Sequence, residues 1–256
     1  MSTLLLRLAA PLQSWGASSR FKKLSTEREP TKSGVVGLIA AALGRDRHED
    51  ISDLNTLRFG VRADQPGTLL RDYHTARNPK NDKLAFISER YYLCDAVFVV
   101  GLESEDEFFL ERIKLALQNP RFPLFLGRRS CPLSGETVLC ISPLQLEEAL
   151  RKLEWKASSW YMKKKRGTED VPLEIILDTS FEASGAFYKR DIPYSFNTEH
   201  RRYGFRCISS DIQGVTVKNP LWISSAKDKS TPVSTSYQTK HDPFLILEVS
   251  DVSFKS

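Results

Sequence analysis

The chain opens on a block of apolar positions, residues 3–9, interrupted only by Arg7, and this pattern predicts a buried first strand. Pro11-Leu12-Gln13-Ser14-Trp15-Gly16 breaks the pattern, and a basic loop runs on to Pro30. A helix is predicted next: Ser33 stands at the cap position, Gly34 and Gly37 permit close approach to a sheet, residues 35–43 are apolar nearly all round, and Gly44 ends the run. Residues 57–63 alternate as a strand, and residues 92–102, through Val97, Phe98, Val99 and Val100, form a strong β run that pairs with it antiparallel. Glu105, Asp106 and Glu107 suit the positive end of a second helix, which carries Phe109, Ile113, Ala116 and Leu117 on one face and ends at Asn119-Pro120. A fourth strand is predicted at residues 137–141.

Strand, helix, strand, strand, helix, strand is the order of an α+β fold of the ferredoxin-like (RRM-like) kind, in which both helices cover one face of an antiparallel sheet and leave the other face free. The link between the second and third strands, residues 64–90, is far longer than a hairpin turn and predicts a protruding arm. We therefore expect a ferredoxin-like RNA-binding domain at residues 1–143 and a β-rich C-terminal region at residues 144–256. That region opens on a short helix at 144–153, followed by strands at 173–177, 203–208, 215–218 and 244–249, with a mobile Ser/Thr-rich loop at 226–242.

Composition narrows the function classes. With 41% hydrophobic residues in 256, the chain can bury a real core. A net charge of +5 and a pI near 9.0 permit a nucleic-acid partner without requiring one. The excess is concentrated in Arg20, Lys22, Lys23, Arg28 and Lys32 of the first loop and in the run Lys163-Lys164-Lys165-Arg166, which reads as a solvated turn or as a contact for target DNA or a partner subunit. Cys94, Cys131, Cys140 and Cys207 have neither zinc-site nor disulfide-framework spacing and are expected as reduced thiols. Arg7 and Pro11 cut short the apolar start, so neither a secretion signal nor a membrane span is expected, and the protein is read as cytoplasmic with no membrane partner. Glu103, Glu105, Asp106 and Glu107 are better explained as helix-start charges than as metal ligands, and no phosphate-binding or dinucleotide glycine pattern occurs. We expect no catalytic residue, no metal and no cofactor.

Two short stretches carry the candidate chemistry. Leu126-Gly127-Arg128-Arg129-Ser130-Cys131-Pro132 puts adjacent arginines on a Gly-to-Pro loop, and Leu70-Arg71-Asp72-Tyr73-His74-Thr75 sets rings beside a guanidinium. Arginine offers a planar fork of donors that matches phosphate, and Tyr and His rings stack on unpaired bases, so the combination points to single-stranded RNA. Arg128 and Arg129, with the hydroxyl of Ser130, are the first candidates. In the arm, Arg71, Tyr73 and His74 near one root are expected to face Arg90 and Tyr91 near the other as a small clamp, with Asp72 pairing an arginine. Lys32 and Ser33 either hold a phosphate on the helix dipole or belong to a plainly capped helix. Gln13 is a candidate to contact a splayed base through its amide, and Trp15 stacks on one or plugs the core. Arg20 completes the RNA-binding set. The Arg201-Arg202-Tyr203 cluster is also basic and aromatic, though its arginines equally suit the flank of a strand.

Five blocks resemble the CasD family, the fifth CRISPR-associated protein family in its type I-E form. They are residues 4–16 (LLLRLAAPLQSWG), 30–38 (PTKSGVVGL), 70–75 (LRDYHT), 92–96 (YLCDA) and 126–132 (LGRRSCP), in the family's order; the last 110 or so residues resemble it only loosely. The resemblance implies a noncatalytic subunit of the CRISPR Cascade surveillance complex that caps the 5′ handle of the crRNA. It further implies that the arm acts as a thumb reaching the neighbouring backbone subunit, that the large subunit docks nearby, and that target DNA is met indirectly, through the complex. The competing class is a metal-independent endoribonuclease of the CRISPR repeat, as in a related type I-C branch, with His74, Tyr73 and Arg71 in the acid–base and cation roles. Only four histidines are present, and no Tyr/His/Lys grouping is evident from spacing.

Overall fold

A computed structural model describes residues 1–16, 23–78, 81–180 and 186–223, with the backbone alone for residues 78, 81–86, 212 and 213. Arg20, the loop at 226–242 and the strand expected at 244–249 lie outside the described residues. The elements in chain order are β1 (Ser2–Ala9), β2 (Leu12–Gln13), β3 (Lys23–Leu24), α1 (Lys32–Ala42), α2 (Ser52–Asn55), β4 (Arg58–Gln65), β5 (Thr68–Asn78), β6 (Asn81–Cys94), β7 (Val97–Ser104) and α3 (Glu107–Gln118). They continue with β8 (Val138–Ser142), α4 (Leu146–Lys152), α5 (Ser159–Lys164), β9 (Asp170–Asp178), β10 (Phe187–Ser195) and β11 (Arg202–Lys218).

One antiparallel sheet runs β10-β11-β9-β4-β7-β1-β8. β1 is an interior strand, between β7 and β8, and its Leu4, Leu5, Leu6 and Leu8 are all buried, which requires cover on both faces. Leu4, Leu6 and Leu8 pack with Val35 and Ile39 of α1 and with Leu110 and Ile113 of α3. Leu5 and Val99 on the opposite side pack with Leu146, Ala149 and Leu150 of α4. The expectation of a free second sheet face is therefore corrected: α4 covers it. Two strand glycines make room for this helix. A Cβ at Gly101 would stand 2.5 Å from a Leu146 methyl carbon, and one at Gly60 would stand 3.0 Å from a Leu150 methyl carbon.

Strands from either side of residue 143 share this sheet, since β9 pairs with β4, and residues 1–223 form one compact unit. The continuous apolar run at 92–102 divides into β6 and β7, with Asp95 at φ 55° between them. The segments predicted at 203–208 and 215–218 are one strand, β11, whose pairing with β9 shifts register between Asp211 and Val215. The link at 64–90 folds as the antiparallel β5–β6 ladder, in register from Thr68 opposite Cys94 to Arg77 opposite Ala85, with a shift before Asn78 opposite Asn81.

Helix α1 is capped by Thr31, whose hydroxyl accepts the Gly34 N–H at 3.2 Å, rather than by Ser33. A second acceptor reaches it from far along the chain: the Asp191 carboxylate takes the Lys32 N–H at 2.9 Å. Asp191 also accepts both Nε and Nη2 of Arg206, at 2.6 and 2.9 Å, while Arg206 Nη1 reaches Asp178 at 2.5 Å. Asp178 in turn accepts the Lys32 ammonium at 3.3 Å and the Phe59 N–H at 3.0 Å. Two cations and two carboxylates thus close a buried network between the start of α1 and strands β9 to β11. Removing one member of such a network leaves an uncompensated buried charge. Asp191→Ala should cost about 3–5 kcal/mol of stability, measured by urea or thermal unfolding, and Asp191→Asn, which keeps an acceptor oxygen, should cost less.

Candidate nucleic-acid interface

The loop between α3 and β8 is held by its own backbone and by the turn after β1. Leu126 N–H donates to the Cys131 carbonyl at 2.7 Å, Cys131 N–H to the Arg128 carbonyl at 2.8 Å, and Ser14 N–H to the Leu126 carbonyl at 3.1 Å. Gly127 lies at φ 84°, and a Cβ there would fall 1.6 Å from the Ser14 carbonyl oxygen. Only glycine fits this approach. Its consequence is that Arg128 and Arg129 are carried on a fixed turn next to the first-strand exit.

The two arginines are used differently. Arg128 is half-buried, with its guanidinium 4.7 Å from the Tyr92 ring centroid and Nη2 donating to the Leu24 carbonyl at 2.9 Å. Burial by itself would raise the Tyr92 phenol, but hydrogen bonds from Arg128 and Ser130 and the nearby Arg90 hold it below its ordinary value. Arg128 Nη1 and Arg90 Nε are buried and have no hydrogen-bond partner among the described residues. Orphaned guanidinium nitrogens of this kind suit an anion. Arg129 and Ser130 are exposed.

Beside this loop opens a groove of about 910 Å³. Arg45, Arg47, Arg128, Arg129 and Arg201 line it against a single carboxylate, Asp46, and Phe122, Phe125, Phe196 and Tyr203 supply rings. Arg45 is spent on a bidentate pair with Asp53, at 2.5 Å for each bond, so it is a wall. Arg47, Arg129 and Arg201 are exposed and form no ion pair with a described residue. A groove of this breadth, cationic and ring-lined, matches the needs of an unpaired strand: phosphate neutralisation together with stacking faces.

Several expected contacts fall elsewhere. Gln13 is fully buried, donating to the Leu8 and Ala96 carbonyls at 3.3 and 2.7 Å and accepting the Trp15 indole N–H at 3.0 Å. Trp15 is buried too, its ring packed where a Cβ at Gly34 would stand 2.8 Å away. Gln13 is corrected from a base contact to a core residue and Trp15 takes the core-plug alternative, because every polar side-chain atom they carry is committed internally, although Trp15 is among the groove-lining residues. Lys32 is corrected likewise: its ammonium is buried, donating to the Leu57 carbonyl at 2.7 Å and paired with Asp178. The α1 N-terminus already has Thr31 and Asp191, so a phosphate is not needed there; Ser33, nearly buried, does line the groove.

The β5–β6 ladder sets Arg71 opposite Tyr91 and Asp72 opposite Arg90, as expected. Strand alternation then separates the supposed clamp. Arg71, Tyr73, Tyr91 and Glu89 share one face, where Arg71 pairs with Glu89 at 2.7 Å. His74, Asp72 and Arg90 share the other, and Asp72 pairs with His74 at 2.7 Å rather than with an arginine. Arg129, Lys32 and Tyr73 therefore do not share one groove: Arg129 lines it, Lys32 is buried, and Tyr73 stands exposed on the ladder.

A model of the family described as CRISPR-associated protein (Cas_Cas5) matches residues 3–208. A relative from Escherichia coli (strain K12), the CRISPR system Cascade subunit CasD, is 39% identical over 153 residues, covering 52% of this chain and 68% of the relative. The chain belongs to the CasD family. A solved structure described as "Crystal structure of Cas protein" is 39% identical, with a TM-score of 0.63 over 86% of this chain and 97% of its own. A chain of a "CRISPR RNA-guided surveillance complex" is 28% identical, with a TM-score of 0.68 over 88% of this chain and 95% of its own.

In this CasD-family chain, sequence reasoning missed Arg45, Arg47, Phe122, Phe125 and Phe196 and set aside Arg201 and Tyr203. The available signals were the Arg-Asp-Arg that follows the Gly44 helix stop and the rings of Phe122-Pro123-Leu124-Phe125 just ahead of the arginine loop. Because Gly127 carries the loop, Gly127→Ala should destabilise the protein by at least about 2 kcal/mol, measured by thermal unfolding. Gly167→Ala, with nothing within 4 Å of its Cβ, serves as the control and should change stability little.

Proposed function

We propose that this chain is the noncatalytic subunit of a type I-E Cascade complex that binds and caps the 5′ handle of crRNA. Its sheet β4-β7-β1-β8 with α1 and α3 is read as a ferredoxin-like RNA-binding domain, and the β5–β6 ladder as the arm that contacts the neighbouring backbone subunit. The observation that carries the reading is the groove in which Arg47, Arg129 and Arg201, without an ion pair among the described residues, stand beside Phe122, Phe125, Phe196 and Tyr203. The guanidinium nitrogens of Arg90 and Arg128 that have no partner among the described residues support it as further cationic donors. Family membership and the 39% identity to a Cascade subunit add the biological setting. Target DNA is then met through the assembled complex, and the protein acts in the cytoplasm.

Catalysis on RNA requires an acid or base set against a cation at the scissile phosphate. His74, paired with Asp72 on the ladder, is not among the groove-lining residues. The triple variant Arg47→Ala, Arg129→Ala, Arg201→Ala should weaken binding of a handle RNA roughly tenfold or more and reduce the slope of log K against log salt by about 2, three single-strand phosphate contacts at about 0.7 each. Unchanged affinity and slope would refute the groove assignment. Labelled repeat RNA incubated in EDTA should remain intact, whereas specific cleavage lost in His74→Ala would replace the capping subunit with an endoribonuclease.

A further inference from the structure

The run Lys163-Lys164-Lys165-Arg166 lies outside the groove and outside the function proposed above. All four side chains are exposed, and none forms an ion pair with a described residue. Cations commonly gather at a helix C-terminus to offset its dipole. Here that task is already met: the buried Asn219 amide donates to the Met162 and Lys165 carbonyls at 3.1 and 2.9 Å, closing the end of α5. Nearby carboxylates are also occupied, since Lys218 bridges Glu169 and Asp170 at 2.9 Å each. The four charges are surplus to local structure.

Two indoles stand beside them. Trp160, 51% exposed, precedes Lys163 and Lys164 by three and four residues on α5 and therefore shares their face. Trp222, 42% exposed, is brought to the same place by the chain after β11: Asn219 Oδ1 accepts the Leu221 N–H at 3.0 Å, and the Ile223 N–H donates to the Arg166 carbonyl at 3.0 Å. Tyr161 props Trp160 edge-on, with centroids 5.6 Å apart, and stands edge-on to the buried Trp155 at 6.0 Å. An indole left in water next to unpaired ammonium groups gains nothing from folding; it gains from a stacked base whose phosphates the lysines neutralise.

We infer that Trp160, Trp222 and Lys163 to Arg166 form a second nucleic-acid site, which takes an unpaired strand by its phosphates and base faces. The site is independent of the groove that takes the handle.

The test uses the full-length protein and a labelled oligothymidylate of about a dozen nucleotides. Changing Lys163, Lys164, Lys165 and Arg166 together to Gln should weaken binding at least tenfold and lower the salt slope by about 3, four contacts at about 0.7 each. Trp160→Ala and Trp222→Ala should weaken binding several-fold with the slope unchanged, and thymidylate should quench the indole fluorescence of the parent. Thermal unfolding and handle-RNA affinity should stay at parent values in all these variants, while the triple Arg47, Arg129, Arg201 variant should weaken handle RNA and keep thymidylate. Parental thymidylate binding in either the cation or the tryptophan variants would overturn the inference.

Discussion

The buried exchange among Lys32, Arg206, Asp178 and Asp191 is the constraint on which the arrangement depends. Each carboxylate serves two masters: Asp191 caps the first turn of α1 while gripping Arg206, and Asp178 holds both cations while accepting the N–H of Phe59. Ions taken out of water must be matched within the same volume, and this set has two of each sign. The match is possible only when β9, β10 and β11 extend the sheet built by the N-terminal strands. The C-terminal strands are thereby fixed against α1, and with them Arg201 and Tyr203 on the far wall of the groove.

A related economy governs the arginine loop. Arg128 donates to the Leu24 carbonyl and lies over Tyr92, so it welds the loop to the root of the β5–β6 ladder, while Arg129 on the same turn remains in solvent. One arginine of an adjacent pair is structural and the other is available. Gly127 makes this split possible by letting the turn touch the Ser14 carbonyl, which no side chain would tolerate. The groove is accordingly pre-set, and a strand entering it does not have to order the loop first.

Legibility in the sequence varied with how local the decisive physics is. Strand β1, helices α1 and α3, and the pairing of β4 with β7 follow from apolar periodicity and end signals, and the length of the link at 64–90 marked it as more than a hairpin turn, though its ladder register came only with the structure. The cover that α4 gives to the second sheet face was not, because the pattern of β1, apolar at consecutive positions, states that both faces are buried without naming what buries them. Gln13 was drawn as a ligand, and Trp15 and Lys32 stood open between ligand and structural roles, because polar and aromatic residues in a turn look alike whether they serve RNA or the core. Their hydrogen-bond partners, Ala96, Leu57 and Asp178 among them, lie far away in sequence.

By itself, then, the sequence determined the residue types and the local elements: a basic, arginine-bearing turn after a helix, a buried first strand, and a family pattern spread over five blocks. Tertiary structure alone decided which of those charges are spent and which are free. An arginine's identity does not say whether its fork meets a carboxylate, a carbonyl or water. That outcome depends on groups up to about a hundred and fifty residues away, as with Lys32 and Asp178, and they are brought into contact by sheet order rather than by spacing along the chain.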